Sequence, residues 1–318
     1  MKIKEKPEDF IVNELIDLEF AEGDYTYVKV RKINLNTLDV VRFFLRQLRI
    51  PRNAISYAGS KDKVAITTQY FSLCRVKDEE IKRLSHENIE IEIVGHGKKP
   101  ISLGLLNGNY FKIKIPYEVK PVNLMVNYFG EQRFSKNNSK IGKALIVEKF
   151  EEACTLIDNN EIDVHLSSHP KDFIGGLKRM DKKLLALFVH AYQSELWNEV
   201  VKSYLKEKYE DAFEVNGFVY LKEKKENVSI PLIAFDTVFQ DLLIEKLYNE
   251  LLKKEGLTLR SFVMRKLSDL MPVSTERDVF VEVKEFNYKE SYVEFILSKG
   301  SYATVLLEEL DARRSLNL

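Results

Sequence analysis

The residues A-G-S-K-D-K-V-A-I-T-T-Q-Y, positions 58–70, begin as a turn and end as a strand. Gly59 can take backbone angles closed to residues with a side chain, and Val64, Ala65, Ile66, Thr67 and Thr68 are apolar and β-branched enough to enter a sheet. Between them stand Lys61, Asp62 and Lys63, a carboxylate flanked by two cations at the mouth of a strand. Rigid strands hold the side chains at their ends accurately, and catalytic groups are often found there. On spacing alone, a solvated charged turn is the simpler account.

Upstream, alternation in K-I-K-E-K-P-E-D-F-I-V-N-E (2–14) puts Phe10 and Val12 on one side and Ile11 and Asn13 on the other. With Lys and Pro7 in front, it reads as an edge strand. Residues 25–33 alternate too, Thr26, Val28 and Val30 opposing Tyr25, Tyr27, Lys29 and Arg31. Asn36 is placed to cap a helix running to Arg49 and ended by Pro51, with Leu38, Val41, Phe44, Leu45 and Leu48 on its apolar face. Arg42, Arg46, Arg49 and Arg52 line the other side, either as a solvated face or as guanidinium forks for phosphates.

Downstream, 89–93 and 110–115 alternate as strands around a Gly-, Lys- and Asn-rich loop carrying Lys98 and Lys99. Residues 127–135, N-Y-F-G-E-Q-R-F-S, read as a strand exit with a packed Phe. Beyond about 148 the pattern turns helical, with a long amphipathic helix over 184–209 whose Tyr192 and Trp197 read as core. A strand over 213–221, a helix over 236–255 closed by Gly256, another over 258–267, and strands at 280–286 and 292–297 follow. Mixed α/β, then mostly helical, then mixed again suggests one domain inserted in another: an α+β fold.

With 49 basic and 49 acidic residues among 318, the chain is formally neutral, so an RNA binder would have to segregate its charges. Cys74 and Cys154, far apart, indicate neither a disulfide framework nor a zinc ribbon, which suits a reducing cytoplasm. No apolar leader opens the sequence, and no run approaches the ~18 apolar residues of a membrane span. Gly59-Ser60-Lys61 lacks the spacing of a phosphate loop, and His165 and His169, with Pro170 next, make a poor metal pair. No cofactor and no metal are expected.

Taken together, Gly59, Lys61, Asp62, Lys63, Ala65, Thr67 and Gln69 fit G-x-K-D-[KR]-x-A-x-T-x-Q and resemble the signature of the TruD family of RNA pseudouridine synthases. Four further segments resemble the family in the right order. These are Lys4, Pro7, Phe10 and Glu14; Leu103, Gly104, Leu106, Gly108, Asn109 and Phe111; 127–134; and 300–304. A short helical match, Q-S-x-L-F-N, has Trp197 for Phe. Ser135 stands where Gly is typical and Glu308 where Arg is common. His96 fits only with a shifted register and receives no role.

The resemblance implies a mixed-sheet catalytic domain formed by 1–150 and 275–318, with 151–274 inserted. It implies Asp62 as catalytic residue, with Lys4, Phe10, Glu14, Asn127 and Phe129 around the substrate and Lys4 as the cation beside the acid. It further implies transfer RNA as substrate and uridine 13 of the D arm as target; a cytoplasmic monomer needing neither protein partner nor membrane is expected. Asp62 would act as nucleophile or as base toward the ribose. The rival expectation is a non-catalytic RNA-binding or folding protein on the same scaffold, and behind it a hydrolase using Asp62.

Overall fold

A computed structural model describes residues 5–135, 137–223 and 225–318; Lys4 lies outside the described residues. The fold is mixed α+β. Contacts gather the chain into two compact units, one running up to Leu124 and including Glu282–Ala303, the other Met125–Val281 with Thr304–Leu318.

The first unit is built on a sheet. Its strands are β1 (Phe10–Leu15), β2 (Tyr25–Ile33), β3 (Ile55–Tyr57), β4 (Ile66–Cys74), β5 (Ile89–Gly97) and β6 (Gly108–Lys114), joined by the late hairpin Lys284–Lys289 and Tyr292–Ser298. The order is 284–289, 292–298, β6, β1, β4, β2, β5. Among the described residues of this sheet, only β1 and β4 run parallel. β4 is central: β2 pairs along its whole length, while β1 takes Ile66 to Thr68 and β3 takes Phe71 to Leu73. The expected edge strand is therefore an interior one. Pro7 costs no ladder bond, because it sits in a 3-10 turn ahead of β1.

Helix α1 (Thr37–Leu48) begins in a reciprocal capping box, Asn36 accepting from the Asp39 amide and Asp39 from that of Asn36, and ends at Arg49 with φ 55°. Its inner face is Thr37, Val40, Val41 and Phe44, whereas Leu38, expected inside, is 48% exposed on the flank. Phe44 meets Phe71 edge-on at 5.6 Å within a core that includes Val28, Val30, Ile55 and Leu73. A buried aromatic of this kind stabilises by roughly 1.5–3 kcal/mol. β5 runs on through Gly95, His96 and Gly97, residues expected to be loop; it does so by a bulge opposite Tyr27 and Val28, with Gly95 at φ 153°.

The second unit centres on the helix Lys182–Lys208, capped by Asp181, with Tyr192 and Trp197 buried in its core as expected. The single strand expected over 213–221 is a hairpin, Ala212–Val215 and Phe218–Leu221, turning at Asn216 and Gly217, both at positive φ. The helix Leu242–Glu255 starts at the Asp241 cap and stops at Gly256 (φ 72°). Residues 258–267 form 3-10 turns rather than a helix. Among the described residues no helix is long and apolar enough to cross a membrane.

Candidate active site

Asp62 lies in the loop that feeds β4, which begins at Ile66, two residues later than the pattern suggested; Val64 stays 47% exposed. Gly59 is not at a positive φ. A Cβ there would meet Leu106, Lys61 and Glu14 at ordinary distances of 3.7, 3.8 and 3.9 Å. What shapes the loop is polar. Gln69 donates to Gly59 O at 3.1 Å and accepts from the Thr37 hydroxyl at 2.9 Å, and that hydroxyl accepts from the Lys61 amide at 2.9 Å.

Beneath the loop sits a buried ion pair. Lys61 Nζ reaches Glu14 Oε1 at 2.8 Å, with side-chain exposures of 7% and 0%. The other oxygen of Glu14 accepts from the Tyr70 amide at 3.0 Å. That amide needs such a partner, because β1 leaves β4 after Thr68 and β3 joins only at Phe71. One carboxylate thus fills a missing rung and anchors the cation next to Asp62. Lys61 is directed at Glu14.

A second buried lysine lies on the same side. Lys32 is fully buried and donates to Asp62 O at 3.1 Å and to Leu35 O. Burial pushes its ammonium down to about 8; Asp62 and Asp39 pull it up, and Lys61 pushes it further down. Asp62 itself is exposed.

Phe10 is buried, edge-on to Phe111 at 6.4 Å. In the β1–β6 register Glu14 faces Asn109, whose buried amide oxygen finds no hydrogen-bond partner among the described residues. The same holds for the Thr67 hydroxyl, opposite Lys32. The far face of the sheet carries a cavity of about 580 Å³, lined by Asn13, Lys29, Arg31, Thr68, Tyr70 and Glu14 among others. Its cations are paired, Lys29 with Glu92 at 3.2 Å and Arg31 with Glu90 at 2.8 Å.

Asn127 and Phe129 belong to the second unit. Asn127 Nδ2 donates to Asp278 O at 3.0 Å, and Arg277 donates to both the main-chain oxygen (2.8 Å) and Oδ1 (2.8 Å) of Asn127. The Arg277 guanidinium lies 4.0 Å from the centre of the Phe129 ring, which meets Trp197 edge-on at 5.6 Å. Asn198 exchanges two bonds of 3.0 Å with the Phe129 backbone. The structure thus groups Phe10, Glu14 and Asp62 in one unit and Asn127 and Phe129 in the other.

Lys32, Thr37 and Arg277, which contact the candidate residues, were not singled out in the sequence, and Asn109 was named only as part of a motif. For Lys32 the signal was present: it has the parity of Val28 and Val30, so the alternation of β2 turns it inward. His96 pairs with Asp78 at 2.9 Å, and His165 with Asp172 at 2.9 Å while stacking on His169.

The family model described as tRNA pseudouridine synthase D (TruD) matches residues 1–163, 158–217 and 212–310. The chain is 32% identical over 377 aligned residues to the "Probable tRNA pseudouridine synthase D" of Nanoarchaeum equitans, covering 98% of each. It is 30% identical over 376 to the tRNA pseudouridine synthase D of Aquifex aeolicus, again covering 98% of each. A crystal structure from Methanosarcina mazei, assigned to tRNA pseudouridine synthase D, superposes with a TM-score of 0.71 at 25% identity, over 97% of this chain and 92% of that one.

Proposed function

The chain belongs to the TruD family of tRNA pseudouridine synthases, an isomerase family, and from this premise we propose that it converts uridine 13 of transfer RNA to pseudouridine with Asp62 as the carboxylate at the ribose. The observation that carries this reading is the loop at the head of β4. Buried polar groups grip its backbone, and its acid is exposed. Precision of placement is what a reacting carboxylate needs, and a solvated charged turn has no use for it.

Pseudouridine formation breaks the C1′–N1 bond, turns the detached uracil and joins C5 to C1′, with no net redox change. Asp62 either adds to C1′ or takes the 2′ proton, and both routes need the carboxylate ionised. The uridine must first leave its stack, at a cost of a few kcal/mol offset by contacts to the RNA. Glu14, Lys4 and Phe10 are assigned to the pocket wall. Asn109, with an unfilled buried acceptor opposite Glu14, suits the imide N–H of the uracil. Phe129 is assigned to stack on the target base or its neighbour, where a base must compete with Arg277 for the ring, and Asn127 to orient it. We assign 1–150 and 275–318 to catalysis and 151–274 to gripping the RNA, in a cytoplasmic monomer.

The test is carbodiimide mapping of a transfer RNA transcript treated with the purified protein and, in parallel, with Asp62→Ala. A single pseudouridine at position 13 with the wild type, and none with a variant that melts and binds RNA normally, is expected. Modification by Asp62→Ala at the wild-type rate removes the acid from the mechanism. Tight binding without pseudouridine from the wild type points to the RNA-folding alternative.

A further inference from the structure

We propose that Lys32 is the positioning residue of the Asp62 loop, its buried ammonium fixing the main chain at Asp62 and supplying the positive charge beneath the acid. The inference rests on the assignment of Asp62 as catalytic carboxylate and deepens it.

A lysine with no exposed surface is a costly choice for a strand interior, since its charge is lost from water and must be offset by bonds and opposite charges. A methionine or leucine would fill the position between β4 and the end of β2 without that cost. Lys32 instead directs its donors at two main-chain oxygens, Leu35 O before α1 and Asp62 O in the loop. It therefore ties the strand that carries it to the segment before α1 and to the loop, whose Lys61 amide is held by the Thr37 hydroxyl. Of the loop's two cations, Lys61 is committed to Glu14 at 2.8 Å and Lys63 is exposed. The charged groups acting on Lys32 are Asp62 and Lys61 from the loop and Asp39 from α1.

This arrangement has a signature that simple packing lacks. Burial places the Lys32 ammonium at about 8, so above that pH the charge beneath Asp62 disappears and turnover should fall. Folding responds with the opposite sign. The unfolded lysine keeps its proton up to about 10.5, so between 8 and 10.5 the unfolded chain binds more protons than the folded one, and stability rises with pH. One group therefore makes the enzyme slower and firmer over the same interval.

The experiment measures single-turnover rates from pH 6 to 10, tRNA affinity and melting temperature for the wild type, Lys32→Met, Lys32→Gln and Asp62→Ala. Expected is a wild-type rate that declines above about pH 8. Lys32→Met should be slower on the order of 100-fold at neutral pH, with tRNA affinity within about twofold, because misplacing a reacting group costs rate and not binding. Lys32→Gln keeps a donor for Asp62 O without the charge and should fall between the two, and neither variant should retain the alkaline decline. A wild-type rate in either variant, or an alkaline decline that persists in both, overturns the proposal. If Lys32→Met does not fold, Lys32→Gln and the wild-type profile decide. An active Asp62→Ala would instead defeat the catalytic assignment, whatever the lysine variants do.

Discussion

The loop around Asp62 and the turn around Phe129 both matched family patterns of similar length, yet they differ in where their polar capacity goes. Around Asp62, buried groups on three elements hold main-chain atoms: Thr37 holds the Lys61 amide, Gln69 holds Gly59 O and Lys32 holds Asp62 O. The acid itself reaches the surface. Around Phe129 the side chains are themselves the ones gripped: Asn127 gives both its amide nitrogen and its oxygen to internal partners, and the aromatic ring is covered by Arg277. A site that pins backbone and presents a side chain is prepared for chemistry. One that consumes its side chains is prepared for rigidity, and must release something before it can touch a substrate.

The largest expected effect tests the first half of that contrast. Asp62→Ala should lower single-turnover pseudouridylation by on the order of 1,000-fold or more while leaving the melting temperature nearly unchanged. A collapse in melting temperature would mean that the acid is structural. Next comes the pair below it. Lys61→Met strands a buried Glu14 and should cost about 3–5 kcal/mol by denaturant titration, with Lys61→Met/Glu14→Leu recovering much of it. A loss under about 1 kcal/mol would show the pair is not the anchor described.

Phe129→Leu addresses the second half. Leucine keeps most of the volume, so stability should drop by less than about 1.5 kcal/mol. Loss of a stacked base, worth about 1–3 kcal/mol, should slow turnover on the order of 10-fold. Turnover at the wild-type rate would leave Phe129 as packing around Arg277 and shift the base platform elsewhere. The smallest effect belongs to the arginine row. Arg42 is bonded to Asp39 at 3.1 Å and Arg52 to Ile55 O at 2.8 Å, which makes Arg46 the better probe. Arg46→Glu should weaken tRNA binding a few-fold and make its salt dependence shallower by about one unit of logarithmic slope, as one fewer phosphate is neutralised. An unchanged salt slope would return the row to solvent.

Local rules made the sequence legible where neighbours decide the outcome. Asn36 with Asp39, the stop near Pro51, the parity of Phe10 and Val12, and Gly256 as a left-handed terminus are short-range matters. Residues whose partners are distant in the chain were not readable. Nothing near Asn127 announces Arg277, 150 positions away, and nothing near Asp62 announces the Lys32 bond across 30. Interior placement of β1 was likewise hidden, because its second neighbour, β6, arrives about 100 residues later than its own start. Leu38 misled because a helix flank and a helix face differ by one position, and Thr37, one residue earlier, is the buried one.

The Tyr70 amide, bonded to Glu14 in the gap between two partner strands, couples events that are otherwise separate. If β1 peels from β4 the carboxylate goes with it, Lys61 loses its counter-charge, and the reactive loop slackens. With Asp62 as the proposed acid, sheet fraying and catalytic readiness share one latch, and peeling of β1 should lower the rate before the fold is lost.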